Sequence, residues 1–460
     1  MADISVLQRL VNDHFSAQLT DSFEPPHRKI TGGGPGQNIE IPFWNHGMPV
    51  APAVVDQDTI EHIAAASSDL VAGMDILLQI PAPRQYLTDI SRFTPEELEL
   101  CDNSLGTDYL GLARADVIIS DGRIGITELN ATSRFGYGIE YDLLVRRLEA
   151  IPPFAATVAA LGLQSPAVFH RIREMIRRVA QAQSSPGVCI AVGHRIAEVA
   201  GFFLSDALRA ELDASADFPV VVAGLEDLNI ENGFMSHPDA GDIGVIYRLF
   251  GPWGRSAENP QHRLRQLIRA SDEAKVAVLD GFVGECRVTK LPLTLLSDER
   301  WLSLLPAGLA ERLPQSVLWT RLLQDSRTEY AGRTINLIPF VAMSRHELVL
   351  KPGRGTGGRG LVVGAETTQS EWESHLGWAM HARDPWVVQQ VMWPDALDIL
   401  RWDGARGSVT SQIVSYGAVL IDRIFAGLIR RNGSGNQLNL NAVQGISTVP
   451  VYVAGKYGLG

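Results

Sequence analysis

Hydrophobic positions in the chain change period from one region to the next. The opening segment MADISVLQRLVNDHF and the stretch VFHRIREMIRRVAQA (168–182) space their apolar residues three and four apart, which predicts amphipathic helices. Trp372, Leu376, Ala379 and Met380 fall at the same spacing and are expected in a core. Between 181 and about 290 the apolar runs VCIAV, FPVVVAG and IGVIYRL alternate with the helical pattern RIAEVAGFFLSDALRAEL, which predicts a small α/β unit with a parallel sheet. One early stretch, FEPPHRKITGGGPGQNIEIPFWNHGMPVAP, has no clear period and reads as surface loop or substrate-facing cap. These shifts divide the chain at 1–95, 96–180, 181–290 and 291–460.

Two stretches carry chemistry. ELVLKPGRGTGGRGLVVG (347–364) reads as strand, glycine-rich loop, strand. Glycines let backbone N–H groups approach a ligand closely, and successive amides in such a loop form a concave site for phosphate. The spacing is not that of a P-loop, and the loop runs into a strand rather than a helix, unlike a dinucleotide fingerprint. A mobile hairpin without ligand fits this stretch as readily.

RADVIISDGRIGITELNATSRFGYG (114–138) reads as a β-hairpin turning at Asp121-Gly122. Glu128 and Asn130 are two apart on one strand and share a face. A carboxylate beside an amide oxygen suits a hard cation such as Mg²⁺. Asp116 is the natural third ligand. A strict two-residue turn would pair it with Thr127 and send Glu128 to the other face, so a three-residue loop is expected. Taken alone, the stretch reads more readily as an exposed hairpin with solvated acids.

Composition narrows the partners. The 460 residues carry a net charge of −12, which argues against a dedicated nucleic-acid binder. No apolar run approaches a membrane span, and the N-terminus has no signal-peptide core. Cys101, Cys189 and Cys286 are scattered, so reduced thiols in a cytoplasmic protein are expected. The 11 histidines form no H-x-x-x-H pair, and His194 reads as a surface-loop residue, so no zinc site is expected.

Together the two stretches resemble the ATP-grasp superfamily. Arg114, Asp116, Glu128 and Asn130 look like its magnesium signature, and Lys351 to Gly360 like its phosphate-covering hairpin. WVVQQVMWP (386–394) is similar to its adenine strand. Glu-x-Asn precedes the glycine loop here, the order of the circularly permuted branch that includes glutathionylspermidine synthetase and related amide ligases. GDIGVIYRLFG, with Arg248, resembles a strand end of that branch's inserted α/β domain. AGLIRRNGSGNQLNLNAVQG resembles its C-terminal strands. The likeness covers roughly 96 to 455.

The resemblance implies an α/β (α+β) ATP-grasp fold, circularly permuted, with a small inserted α/β domain and an N-terminal cap. It implies ATP and one or two Mg²⁺ ions on Asp116, Glu128 and Asn130. Phosphates would lie on Lys351, Gly355, Thr356, Gly357 and Gly358. The branch's Asn-Lys position falls on Arg300 in LLSDERWLSLL, with Lys290 as the alternative phosphate contact. Gln389, Gln390 and Met392 would meet adenine, and Asp395 or Asp398 the ribose. Arg114 would stabilise transferring charge, with Arg430 and Arg431 as candidates for the same site.

The implied reaction is ATP-dependent amide formation through an acylphosphate, on one carboxylate and one amine of small-molecule or peptide kind, in amino-acid or natural-product metabolism. A carrier protein is a further candidate partner, and neither nucleic acid nor membrane is expected. A phosphotransferase on the same fold and a non-catalytic nucleotide binder are the alternatives.

Overall fold

The computed structural model describes residues 4–19, 29–31, 38–40, 48–49, 51–93, 95, 112–131, 137–185, 187–191, 209, 218–248, 260–273, 275–279, 290–354, 360–402, 406–433 and 447–455. Helix α1 (Ile4–Ala17) opens the chain and buries Leu7, Val11 and Phe15, the stripe that its four-residue spacing dictates. Strand β1 (Ala53–Asp56) leads into the long helix α2 (Gln57–Gln79). Asp56 caps that helix, its carboxylate accepting from the Thr59 N–H at 2.7 Å. Helix α3 (Pro81–Ser91) follows at once.

Next come the hairpin strands β2 (Leu112–Ser120) and β3 (Arg123–Asn130), then helix α4 (Val168–Ala182). Helix α4 coincides with the predicted amphipathic stretch and buries Phe169, Ile172, Met175, Ile176 and Val179. Strands β4 (Gly187–Ala191), β5 (Val220–Ala223), β6 (Gly241–Arg248) and β7 (Ala277–Leu279) form one sheet with parallel pairings β5–β4–β6–β7, and an antiparallel ribbon (229–237) extends it. Their continuous apolar sequence matches burial on both faces. The predicted helix RIAEVAGFFLSDALRAEL, His194, Cys101 and Cys286 lie outside the described residues apart from Arg209. Cys189 is a buried free thiol, and burial pushes its pKa up to about 12.

The C-terminal part supplies β8 (Thr320–Leu322), β9 (Leu348–Pro352), β10 (Val362–Val363), helix α5 (Gln369–His381), β11 (Trp386–Gln390), β12 (Ala396–Trp402), β13 (Gly407–Ile421), β14 (Ile424–Asn432) and β15 (Ser447–Ala454). Strands β8–β11–β9–β10 make an antiparallel sheet. Helix α5 covers it with Trp372, Leu376 and Ala379, as their spacing predicts. The glycine-rich loop joins β9 to β10, and Gly355, Thr356, Gly357 and Gly358 lie outside the described residues.

The largest sheet, of nine strands, is discontinuous in sequence. Its central strand β13 pairs along its first half with β12, and along its second half with β14 on one side and β2 on the other. Strand β15 pairs with β14 and, in parallel, with β1. The N-terminal segment, expected as a cap, thus contributes a strand to this sheet. Helix α2 lies across it, burying Ile63, Leu70, Met74 and Leu77 against Ala113, Ala115, Val117, Tyr416 and Leu428. Each such side chain contributes about 1.5–3 kcal/mol by leaving water. Among the described residues no single helix is long and apolar enough to cross a membrane.

Candidate functional site

The hairpin turns through two residues, not the expected three. Asp121 and Gly122 have φ of 48° and 72°, the left-handed pair of a type I′ turn, and Ser120 pairs with Arg123 across it. That register alone would place Thr127 opposite Asp116. Instead Val117 pairs with Ile126 and Asp116 with Glu128, so Thr127 is an extra residue in β3. This β-bulge does what the longer loop was expected to do: it returns Glu128 to the face of Asp116 and sets Asn130 opposite Arg114.

Four cationic side chains gather around the two carboxylates. Arg114 donates from Nε to Asp116 Oδ1 at 2.6 Å and from Nη2 to Oδ2 at 3.3 Å. Arg431, from β14, grips the same carboxylate through both Nη atoms at 3.2 and 3.1 Å. Burial alone would raise the Asp116 pKa, but the two guanidiniums hold it well below the usual carboxylate range. Lys290 donates from Nζ to Glu128 Oε1 at 3.0 Å and is itself buried. The strand pairing makes room for this. Gly417 faces Asp116 from β13, and a Cβ there would lie 2.6 Å from Arg114 Cδ.

The second sheet meets the hairpin at the bulge. The Thr127 carbonyl accepts from Lys351 Nζ at 3.4 Å and from Gln389 Nε2 at 3.3 Å. Lys351 also donates to Gln389 Oε1 at 2.6 Å, and Gln389 donates to Thr320 Oγ1 at 2.9 Å. Burial depresses the Lys351 pKa to about 8, with Lys290 adding to the effect and Glu128 and Asp116 opposing it. The backbone N–H of Lys290 donates to Gly353 O at 2.9 Å, so the cation is anchored to the residue that leads into the glycine-rich loop. Arg354, next in that loop, stacks over Phe93 at 4.6 Å, which brings the end of the N-terminal segment to the loop.

The structure separates other expected residues from this cluster. Arg430 alternates with Arg431 along β14 and therefore faces the other way. It is fully buried, pairs with Tyr416 across the strands and donates to Gln8 Oε1 of α1 at 2.6 Å. Arg300 is exposed in a short helix and lies over the Trp301 and Tyr86 rings at 4.1 and 5.3 Å. Of the two alternatives, Lys290 is the cation beside Glu128.

In the expected adenine strand, Gln389 is spent on Lys351, Thr127 and Thr320, while the Gln390 side chain is exposed and its N–H donates to Trp319 O. Met392 packs on Gly125 of β3, where a Cβ would lie 2.2 Å from its Sδ. Asp395 accepts from the Asp121 N–H at 3.1 Å and so fastens the hairpin turn. Asp398 offers its carbonyl to Asn12 of α1. Arg248 is buried at the end of β6.

Mg²⁺ fits part of this donor set directly. Glu128 presents hard oxygens on the face it shares with Asn130, and Asn130, 5% exposed, has an amide nitrogen without a partner. Turning that amide over would offer its oxygen in the same place. Arg114 and Arg431 together fill both acceptor positions on each Asp116 oxygen, so it becomes a ligand once either guanidinium releases it. Among the described residues no group of three His, Cys, Asp or Glu side chains is placed to hold a metal. An ion here would therefore rest on two carboxylates, an amide and oxygens brought by a ligand.

No protein-family model and no curated protein sequence matches the chain. Among solved structures it is similar to a glutathione synthetase-like effector from Globodera pallida in apo form, with a TM-score of 0.58 and 11% identity over 98% of both chains. The two share a fold. A second match is a Methylobacillus flagellatus protein described as a gamma-glutamylcysteine synthetase, with a TM-score of 0.44 and 9% identity over 79% of this chain and 87% of that one. That second likeness is too weak to carry an argument.

Proposed function

We propose that the chain is an ATP-dependent carboxylate–amine ligase of the circularly permuted ATP-grasp type, acting on small or peptide-like substrates and releasing ADP and phosphate. The observation that carries this reading is the meeting of two sheets at Thr127. Asp116 and Glu128 project from one sheet beside Lys351 from the other, with Lys290 and Arg431 completing the ring. Likeness of fold to a glutathione synthetase-like effector over 98% of the chain supports a ligase of this kind.

In this reading Lys351 and Lys290 bind the polyphosphate, and the glycine-rich loop covers it and keeps water away. A substrate carboxylate attacks the γ-phosphorus, ADP leaves, and an acylphosphate forms. The amine then attacks the acyl carbon, the tetrahedral oxyanion collapses, and phosphate departs as the amide forms. Arg114, held by Asp116, and Arg431, once phosphate has drawn it off Asp116, stabilise negative charge that grows on the transferring phosphoryl group and the oxyanion. Mg²⁺, when bound by Glu128, Asn130 and a released Asp116, supplies neutralisation of the β- and γ-phosphates. Of the two arginines the sequence offered, this reading takes Arg431, and of Arg300 and Lys290 it takes Lys290.

The test is ADP and phosphate release with Mg-ATP across pools of amino acids, short peptides and polyamines, with Glu128→Gln as control. Release that requires both a carboxylate and an amine, and is lost in the control, supports the ligase. Release with an alcohol alone would point to a phosphotransferase. No release from any pool would leave a nucleotide-binding protein without turnover.

A further inference from the structure

The cluster around Asp116 and Glu128 holds more cations than anions. Arg114 and Arg431 engage Asp116, Lys290 engages Glu128, and Lys351 lies within electrostatic reach of both carboxylates. A buried cluster with this balance attracts an anion and repels a free divalent cation. The bonding goes further than net charge. Arg114 and Arg431 occupy both oxygens of Asp116, and Lys290 occupies Oε1 of Glu128. Each carboxylate that would ligate a metal is already held by a side-chain cation.

The holding residues also have somewhere to go. A polyphosphate competes for the Lys290 ammonium and the Arg431 guanidinium, because phosphate oxygens accept the same charge-assisted bonds as carboxylates. Asn130 stands two residues from Glu128 on the same face, buried and with an unpartnered amide nitrogen, so turning the amide over brings its oxygen in as a third ligand. The Lys290 backbone is bonded to Gly353, and the Gly353 N–H donates to Pro385 O at 2.7 Å. The chain on which Lys290 pivots is therefore pinned to the start of the glycine-rich loop while its side chain moves.

We propose that Lys290 and Arg431 are positioning residues that keep Glu128 and Asp116 closed to metal until a polyphosphate draws them away, so that the site takes a divalent cation only together with nucleotide. The proposal rests on the reading of this cluster as a nucleotide site. It assigns to the two cations a function before they meet phosphate.

The experiment follows free Mn²⁺ by electron paramagnetic resonance in the presence of the full chain, with and without the non-hydrolysable ATP analogue AMP-PNP. The native chain should leave Mn²⁺ free on its own and bind it when AMP-PNP is added. Lys290→Met should raise nucleotide-independent Mn²⁺ affinity by at least about tenfold, because it removes a like charge beside Glu128. Arg431→Met should do the same through Asp116, which provides a second route should one variant fail to fold. Adding Glu128→Gln to Lys290→Met should abolish the gain.

Equal Mn²⁺ binding by the native chain with and without AMP-PNP would overturn the proposal, as would the absence of a gain in folded variants. Calorimetry with AMP-PNP alone separates the two readings. Failure to bind AMP-PNP would overturn the nucleotide site and the order of binding with it. A gain of Mn²⁺ affinity in the nucleotide-free variants would still establish that the two cations hold the carboxylates.

Discussion

Asp116 lies directly across the hairpin from Glu128, although only Asp121 and Gly122 turn the chain between their strands. The turn and the bulge at Thr127 are two separate devices. The turn sets a register that would divide the carboxylates between faces, and the extra residue cancels it. The Thr127 carbonyl then becomes the point where Lys351 and Gln389 attach the second sheet.

The turn is a matter of stability rather than chemistry. Gly122 has a φ of 72°, where a Cβ is strained. Gly122→Ala should destabilise the chain by about 1 kcal/mol, read as a lower urea midpoint, with kcat unchanged because the bulge and both carboxylates stay in place.

Gly417 tests the packing under the site. A Cβ there would lie 2.6 Å from Arg114 Cδ and 2.8 Å from Ile429 Cγ1. Gly417→Ala should cost about 1–3 kcal/mol in denaturant titration and push Arg114 off Asp116. Turnover should fall along with stability, unlike Gly122→Ala, which touches stability alone.

Arg430 and Arg431 should part company under the same substitution. Arg431 is bidentate to Asp116, so Arg431→Met should lower kcat by about a hundredfold or more with little change in melting. Arg430 is fully buried with one described bond, to Gln8, and burial depresses its pKa to about 10. Arg430→Met removes a charge that is costly to bury but strands the Gln8 oxygen. Its stability should change by no more than about 2 kcal/mol in either direction, with activity per folded molecule retained.

Much of this site follows from local sequence, and the remainder depends on contacts that no local pattern encodes. The Asp-Gly turn, the shared face of Glu128 and Asn130, the strand carrying Gln389 and the core stripe of α5 follow from period and turn chemistry, which act within a few residues. The bulge does not, because Thr127 is an ordinary strand residue and its irregularity shows only against β2. The choice between Arg430 and Arg431 depends on which face of β14 meets Asp116, set by pairing with β13. The choice between Lys290 and Arg300 depends on a bond from Lys290 to Gly353, far away in sequence. The N-terminal stretch hid a strand because β1 is four residues long and pairs with β15 at the opposite end of the chain.

Lys351 gives the site a pH dependence of known sign. Burial lowers its pKa from 10.5 to about 8, so the folded chain gives up this proton before the unfolded chain does. Between those values the unfolded state binds more protons, and this group's contribution to stability rises with pH. Nucleotide affinity should move the other way, since the ammonium that meets phosphate is lost as pH rises through about 8. Titration calorimetry with AMP-PNP should show that fall in the native chain and a flat profile in Lys351→Arg.

The most direct test of the ligase reading is the fate of oxygen in the substrate carboxylate. The chain would be incubated with ATP, Mg²⁺, an amine pool and carboxylates labelled with ¹⁸O, and the released phosphate examined by mass spectrometry. Formation of an acylphosphate predicts one ¹⁸O carried from the carboxylate into inorganic phosphate for each amide made. Phosphate free of label while ADP accumulates, or label found in AMP, would contradict the account.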